Sequence, residues 1–220
     1  MRSVIFDLDG TLADTSGDLI AAANACFRDL GLGDLLEWGS DNGVAFRGGR
    51  AMLTEGFSRI GGDWQAEIDR QYPRLLDYYG AEIDRHTVLY PGVREAVAAL
   101  SGDGYAVAVC TNKPERLAEI LLQRLGFRDA FGALVGADTL PVRKPDPAPL
   151  VAAVERAGGN PARACLVGDT VTDRETARAA GAASILVTFG PEGDAVKALE
   201  PEALLEDYAE LPGIVARLEL

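Results

Sequence analysis

At 220 residues the chain can bury one large core, or a core and a smaller lobe. Its 48% hydrophobic and 25% charged residues are ordinary for a globular protein. A formal net charge of −13 without a basic stripe argues against an electrostatic nucleic-acid binder. It leaves a phosphorylated small molecule open as substrate, because a metal ion and one or two local cations can reverse the field inside a cleft.

Three distant cysteines, Cys26, Cys110 and Cys165, read as small buried residues in a reducing cytosol, with no disulfide framework. A strand begins almost at the first residue, so no signal peptide is expected, and no apolar run nears the roughly 20 residues of a membrane span. A cytoplasmic location is the expectation. His86 is the only histidine, which excludes a mechanism built on paired histidines.

The apolar run Val4-Ile5-Phe6 predicts a buried strand that ends in Asp7-Leu8-Asp9 and a Gly10-Thr11 turn. Asp14 to Leu30 has helical spacing (Leu19, Ile20, Ala23, Phe27, Leu30), with Gly31 as its stop. Helical patterning continues from about 40 to 82, broken at Gly48-Gly49 and Gly61-Gly62. A helical block of that size, interrupting a chain that began as a strand, reads as an inserted lobe over 15–86.

From Pro91-Gly92 onward the pattern alternates. A helix face at Val93, Ala96, Val97 and Leu100 precedes the continuous apolar run Tyr105 to Cys110, typical of a buried parallel strand. A helix from about Pro114 stops at Gly126, and a short strand lies at 133–136. A helix over 147–157, a strand over 164–168, a helix over 172–180 and a strand over 184–188 follow. The tail from Pro201 reads as one or two short helices. The expected fold class is α/β, a doubly wound parallel sheet formed by 1–14 and 87–220 with the helical lobe inserted.

In such sheets ligands sit beyond the carboxyl ends of the strands, and four polar groupings fall there. Asp7 and Asp9 are close enough to repel, so a bound cation would keep both ionised, one acting as nucleophile and the other handling a proton. The plainer reading is a pair of acids in a strand-end turn. Thr111-Asn112-Lys113-Pro114 offers a hydroxyl and backbone N–H groups to a phosphoryl oxygen, or simply caps the next helix. Lys144, in Arg143-Lys144-Pro145-Asp146-Pro147, is either a solvated surface charge or a point charge for carboxylates and phosphate. Asp169 and Asp173 can converge on one side of a helix start, which suits Mg²⁺, or can act as cap and first-turn acid.

Taken together, Asp7-Leu8-Asp9-Gly10-Thr11-Leu12, the Thr111 loop, Lys144-Pro145-Asp146-Pro147 and Gly168-Asp169 with Asp173 resemble, in order, the four motifs of the haloacid dehalogenase-like superfamily of phosphohydrolases. Thr111-Asn112-Lys113-Pro114 is similar in particular to its phosphoglycolate phosphatase-type members, and the 15–86 lobe resembles their α-helical cap in position, size and helicity. The resemblance implies that Asp7 attacks phosphorus to form a phosphoaspartate. It implies that Asp9 protonates the leaving alcohol and then activates water, while Thr111 and Lys144 bind phosphoryl oxygens. Mg²⁺ would be held by Asp7, the Asp9 carbonyl, Asp169 and Asp173, the last directly or through water.

Asp9 argues against a dehalogenase, because superfamily dehalogenases lack the second acid. A phosphoglycolate phosphatase-like enzyme would bind 2-phosphoglycolate, a small phosphorylated metabolite, with Asn112 near the phosphate. A cap arginine would meet the distal carboxylate, Arg50 or Arg47 being the candidates. Pyrophosphatase, sugar-phosphate phosphatase and β-phosphoglucomutase-like mutase activities would use the same core groups. A non-enzymatic phospho-acceptor is the alternative from another class. The sequence does not separate monomer from homodimer.

Overall fold

Val4, Ile5 and Phe6 have no solvent exposure, and they form the middle of a six-stranded sheet. The computed structural model describes residues 1–218 and 220. In chain order the elements are β1 (Ser3–Phe6), β2 (Ala13–Asp14), α1 (Ser16–Asp29), α2 (Asn42–Ala45), α3 (Gly49–Ser58) and α4 (Gln65–Ala81). Then come β3 (Val88–Leu89), α5 (Val93–Gly102), β4 (Ala106–Cys110), α6 (Glu115–Arg124), β5 (Ala133–Val135), α7 (Ala148–Arg156) and β6 (Ala164–Gly168). The chain closes with α8 (Val171–Ala180), β7 (Ala183–Val187), β8 (Ala203–Leu205) and α9 (Leu211–Arg217).

The chain divides into two units, residues 1–13 with 89–220, and residues 14–88. In the first, the strand order is β5-β4-β1-β6-β7-β8 and every pair is parallel. The chain winds from β1 through β4 and β5 on one side, then through β6, β7 and β8 on the other. The order therefore switches between β1 and β6. Ligands collect at such a switch.

Register carries that switch into residue positions. Phe6 lies opposite Val109 on β4 and Val167 on β6. Asp7, Thr111 and Asp169 consequently emerge together from the carboxyl ends of three adjacent strands. One face of the sheet is covered by α7 and α8, where Ile5, Ala108, Cys110, Leu166, Leu150, Val154 and Ala177 share a core. On β1 the residues flanking Ile5 point the other way, and Phe6 packs edge-on against Phe131. Each fully buried aliphatic or aromatic side chain contributes about 1.5–3 kcal/mol, so the base of the loops is held firmly.

The tail differs from the sequence reading. Ala203–Leu205 pairs with β7 as an edge strand before α9. Three residues are too few to show a two-residue period, and the partner strand is distant in sequence.

In the second unit α1 and α3 each pack on α4. Phe27 meets Phe57 edge-to-face, and Gly56 permits this, because a Cβ there would lie 2.3 Å from the Phe27 ring. The buried Asp18 carboxylate accepts hydrogen bonds from the His86 and Thr87 N–H groups and from the Thr87 hydroxyl. The first and last segments of the lobe are thereby tied to each other.

Candidate active site

The first loop is built on carbonyl acceptance and a left-handed glycine. The N–H groups of Leu12 and Ala13 both donate to the Leu8 carbonyl, at 2.9 and 3.1 Å, and the Leu8 N–H donates to Asp7 Oδ1 at 2.7 Å. Gly10 has φ +78°, and a Cβ there would stand 2.4 Å from Asp169 Oδ2. Glycine is thus required twice, for the turn and for the approach of the Asp169 loop. The Thr11 hydroxyl donates to Asp169 Oδ1 at 2.9 Å, and the Thr11 carbonyl accepts from the buried Tyr208 hydroxyl at 2.8 Å.

Lys144 enters from the loop after β5, where its peptide bond to Pro145 is cis. Its ammonium lies 3.1 Å from Asp7 Oδ1 and 2.6 Å from Asp173 Oδ1, with the lysine side chain only 2% exposed. The solvated alternative for Lys144 is therefore ruled out. Burial works against the Lys144 charge, but the Asp173 and Asp7 carboxylates outweigh it and raise its pKa. Asp173 serves a second purpose. Its Oδ2 accepts from the Thr170 hydroxyl and from the Asp169 and Thr170 N–H groups, which caps the start of α8. Both readings of Asp173, cap and site acid, describe the same carboxylate.

Thr111, 3% exposed, follows β4, and its Oγ1 accepts the Lys113 N–H at 3.2 Å. Asn112 donates from Nδ2 to the Lys144 carbonyl at 3.0 Å and so links the second loop to the third. Lys113 escaped the sequence reading. Its Nζ lies 2.9 Å from Asp9 Oδ1, and the lysine side chain is 3% exposed. Its place three residues beyond a strand end, between two groups already singled out, is the only signal the sequence offered.

Asp7, Asp169 and Asp173 each place a carboxylate oxygen within 4.8 Å of the others. Burial raises the Asp7 carboxyl to about 6. Lys144 opposes that rise, and the Asp173 and Asp9 charges add to it. Asp169 is pushed well above the usual carboxylate range, by burial first and then by Asp173 and Asp7, against the Thr11 hydroxyl and Lys144. Its Oδ2 is buried without a hydrogen-bond partner. Three hard oxygen donors, one of them orphaned, fit a divalent cation such as Mg²⁺. The Asp9 side chain lies outside this group of three, directed to Lys113.

Arg50 and Arg47 both lie in the 14–88 unit. Arg50, on α3, pairs with Asp69 at 2.5 Å and lies over the Tyr72 ring, both on α4. Arg47 precedes α3 and is exposed.

Similarity to known proteins extends over nearly the whole chain. Residues 4–187 match the family model of haloacid dehalogenase-like hydrolases. The sequence is 38% identical to a phosphoglycolate phosphatase of Agrobacterium fabrum, over 97% of this chain and 92% of that one. It is also 38% identical to a phosphoglycolate phosphatase of Mesorhizobium japonicum, over 94% and 92% of the two chains. The crystal structure of a predicted phosphoglycolate phosphatase from Haemophilus somnus aligns with a TM-score of 0.83 at 27% identity, covering 97% of each chain. The match includes all four loops of the site and the strands that carry them, and the chain belongs to the haloacid dehalogenase-like hydrolase family as one of its phosphatases.

Proposed function

We propose that this hydrolase releases phosphate from a small monoester through a phosphoaspartate on Asp7, with Mg²⁺ as its metal and 2-phosphoglycolate as its substrate. The observation that carries the reading is the setting of Asp7. It stands at the strand switch, 3.1 Å from a buried lysine and grouped with Asp169 and Asp173. An Asp7 oxygen attacks phosphorus as the bond to the alcohol oxygen breaks, and Asp9 gives that oxygen its proton. Asp9 then takes a proton from the water that attacks the phosphoaspartate, and Asp7 is released as carboxylate.

Lys144 and the Thr111 hydroxyl bind the phosphoryl oxygens. In-line positioning and charge do most of the work in such a transfer. Asp7, the Asp9 carbonyl and Asp169 would hold Mg²⁺, with Asp173 completing the acidic set behind them. Bound there, Mg²⁺ supplies positive charge against the phosphoryl group.

The relatives named phosphoglycolate phosphatase support the choice of substrate. Arg50, in the 14–88 unit, is the candidate partner for the substrate carboxylate. Its pair with Asp69 is more than half exposed on both sides, and such a pair is worth at most about 1 kcal/mol. Exchange of Asp69 for a ligand carboxylate is therefore inexpensive.

The test is phosphate release from 2-phosphoglycolate, sugar phosphates, nucleoside monophosphates and pyrophosphate, with Mg²⁺ or chelator and with Asp7→Asn as control. The expected result is Mg²⁺-dependent turnover that favours 2-phosphoglycolate, a higher KM for Arg50→Ala, and none for a folded Asp7→Asn. Preference for pyrophosphate or hexose phosphates would overturn the substrate. Isomerisation of a sugar phosphate without net release would replace hydrolysis with a mutase, and a single stoichiometric transfer would leave a phospho-acceptor.

A further inference from the structure

We propose that Lys113 is a positioning residue for the reaction, holding the Asp9 carboxyl group in the orientation from which it passes its proton to the leaving oxygen and later takes one back from water. The inference rests on the phosphatase reading above and assigns a task to a buried charge which that mechanism leaves unused. Lys113 is fixed at both ends of its peptide unit. Its N–H donates to Thr111 Oγ1 at 3.2 Å, and its carbonyl accepts the Ala137 N–H at 3.0 Å. A backbone held in this way sets the direction in which the side chain leaves the loop. The ammonium ends 2.9 Å from Asp9 Oδ1, with the lysine 3% and the aspartate 19% exposed at their side chains.

Asp9 precedes the Gly10 turn and is the more solvent-accessible partner, so the groups it pairs with set its rotamer. A buried charge pair restrains it, and a shielded ammonium does so more strongly than a surface one. Lys144 cannot take this part, since its ammonium is shared between Asp7 and Asp173. The two buried lysines thus divide the work. Lys144 serves the acid that attacks phosphorus, and Lys113 serves the acid that moves the proton.

The test compares two esters that differ in their need for Asp9. An alkyl phosphate, whichever the protein turns over fastest, requires protonation of its leaving oxygen. 2,4-Dinitrophenyl phosphate has a leaving group that departs without a proton, so its pre-steady-state burst reports attack by Asp7 alone. Lys113→Met and Lys113→Gln should lower kcat for the alkyl ester about 100-fold, the scale of a misplaced catalytic group, with KM changed little. The dinitrophenol burst should slow less than threefold, and Lys113→Arg should recover most of the alkyl activity.

A purely structural role would slow both reactions alike. Equal losses on the two esters, or alkyl turnover within twofold of the unmodified protein, overturn the proposal. Failure of the underlying phosphatase reading appears separately, as absence of turnover in the unmodified protein or its persistence in Asp7→Asn.

Discussion

Lys144→Met removes one ammonium and keeps most of the side-chain volume. It leaves Asp7 and Asp173 facing each other at a site where Lys144 was 2% exposed and 3.1 and 2.6 Å from their oxygens. Breaking a buried ion pair from one side costs about 3–5 kcal/mol, because the remaining charge stays desolvated. For a chain of this size that corresponds to a fall of roughly 6–20 °C in Tm. The cost depends on pH, and its sign follows from Asp7.

The folded Asp7 carboxyl titrates at about 6, above its ordinary value of 3.8. Its contribution is therefore a penalty, absent below about pH 4 and fully developed above about pH 6. Without Lys144 the folded value rises further, so the window of growing penalty extends upward. The assay is urea unfolding of both proteins at pH 5 and pH 8 with chelator present. The deficit should be about 3–5 kcal/mol at pH 8 and about half of that or less at pH 5. A deficit that is equal at the two pH values, or below about 1 kcal/mol at pH 8, refutes the argument that the lysine neutralises buried acids. Turnover should fall by about 10²–10³, the usual cost of one preorganised charge donor.

Gly10→Ala places a Cβ 2.4 Å from Asp169 Oδ2 on a backbone at φ +78°; isothermal titration should show Mg²⁺ affinity reduced more than tenfold, with a lower Tm. Tyr208→Phe leaves the buried Thr11 carbonyl without its donor, a loss of about 1–2 kcal/mol by urea unfolding. Burial foremost, with the Asp169 and Tyr90 charges behind it, holds the Tyr208 hydroxyl well above the ordinary tyrosine value, so this loss should not change between pH 6 and pH 9. Cation binding at pH 5.5 should release at least one proton, since Asp7 titrates at about 6 and Asp169 is also raised; calorimetry in two buffers of different ionisation enthalpy measures it, and a heat independent of buffer would contradict it.

The sheet was legible because its strands are buried on both faces. Tyr105 to Cys110 and Ala164 to Gly168 read as continuous apolar runs, and both are strands, Ala106–Cys110 and Ala164–Gly168. The α1 and α6 stops were legible through Gly31 and Gly126, which both have positive φ. β8 was not, because a three-residue edge strand is defined by the neighbour it pairs with and not by its own pattern. Asp7, Asp169 and Thr111 were legible as residues at strand ends, and Lys144 as part of the Lys-Pro-Asp-Pro run before α7. Their contacts were set by register, through the alignment of Phe6 with Val109 and Val167, which no local pattern displays.

Lys113 illustrates the remaining limit. A lysine in a loop is solvated by default, and only the convergence of two loops from strands far apart in sequence makes it a buried partner of Asp9. Once it is included, the charge of the site can be counted. Lys113 and Lys144 stand against Asp7, Asp9, Asp169 and Asp173, two ammoniums against four carboxylates, a formal excess of two negative charges. One divalent cation cancels that excess, and protons on Asp7 and Asp169 relieve it in the cation's absence, which is the direction in which both groups are shifted. The chain as a whole carries −13, yet a site balanced in this way presents no net barrier to a phosphate dianion. Local neutrality, set by two buried lysines and a cation, decides what the site admits.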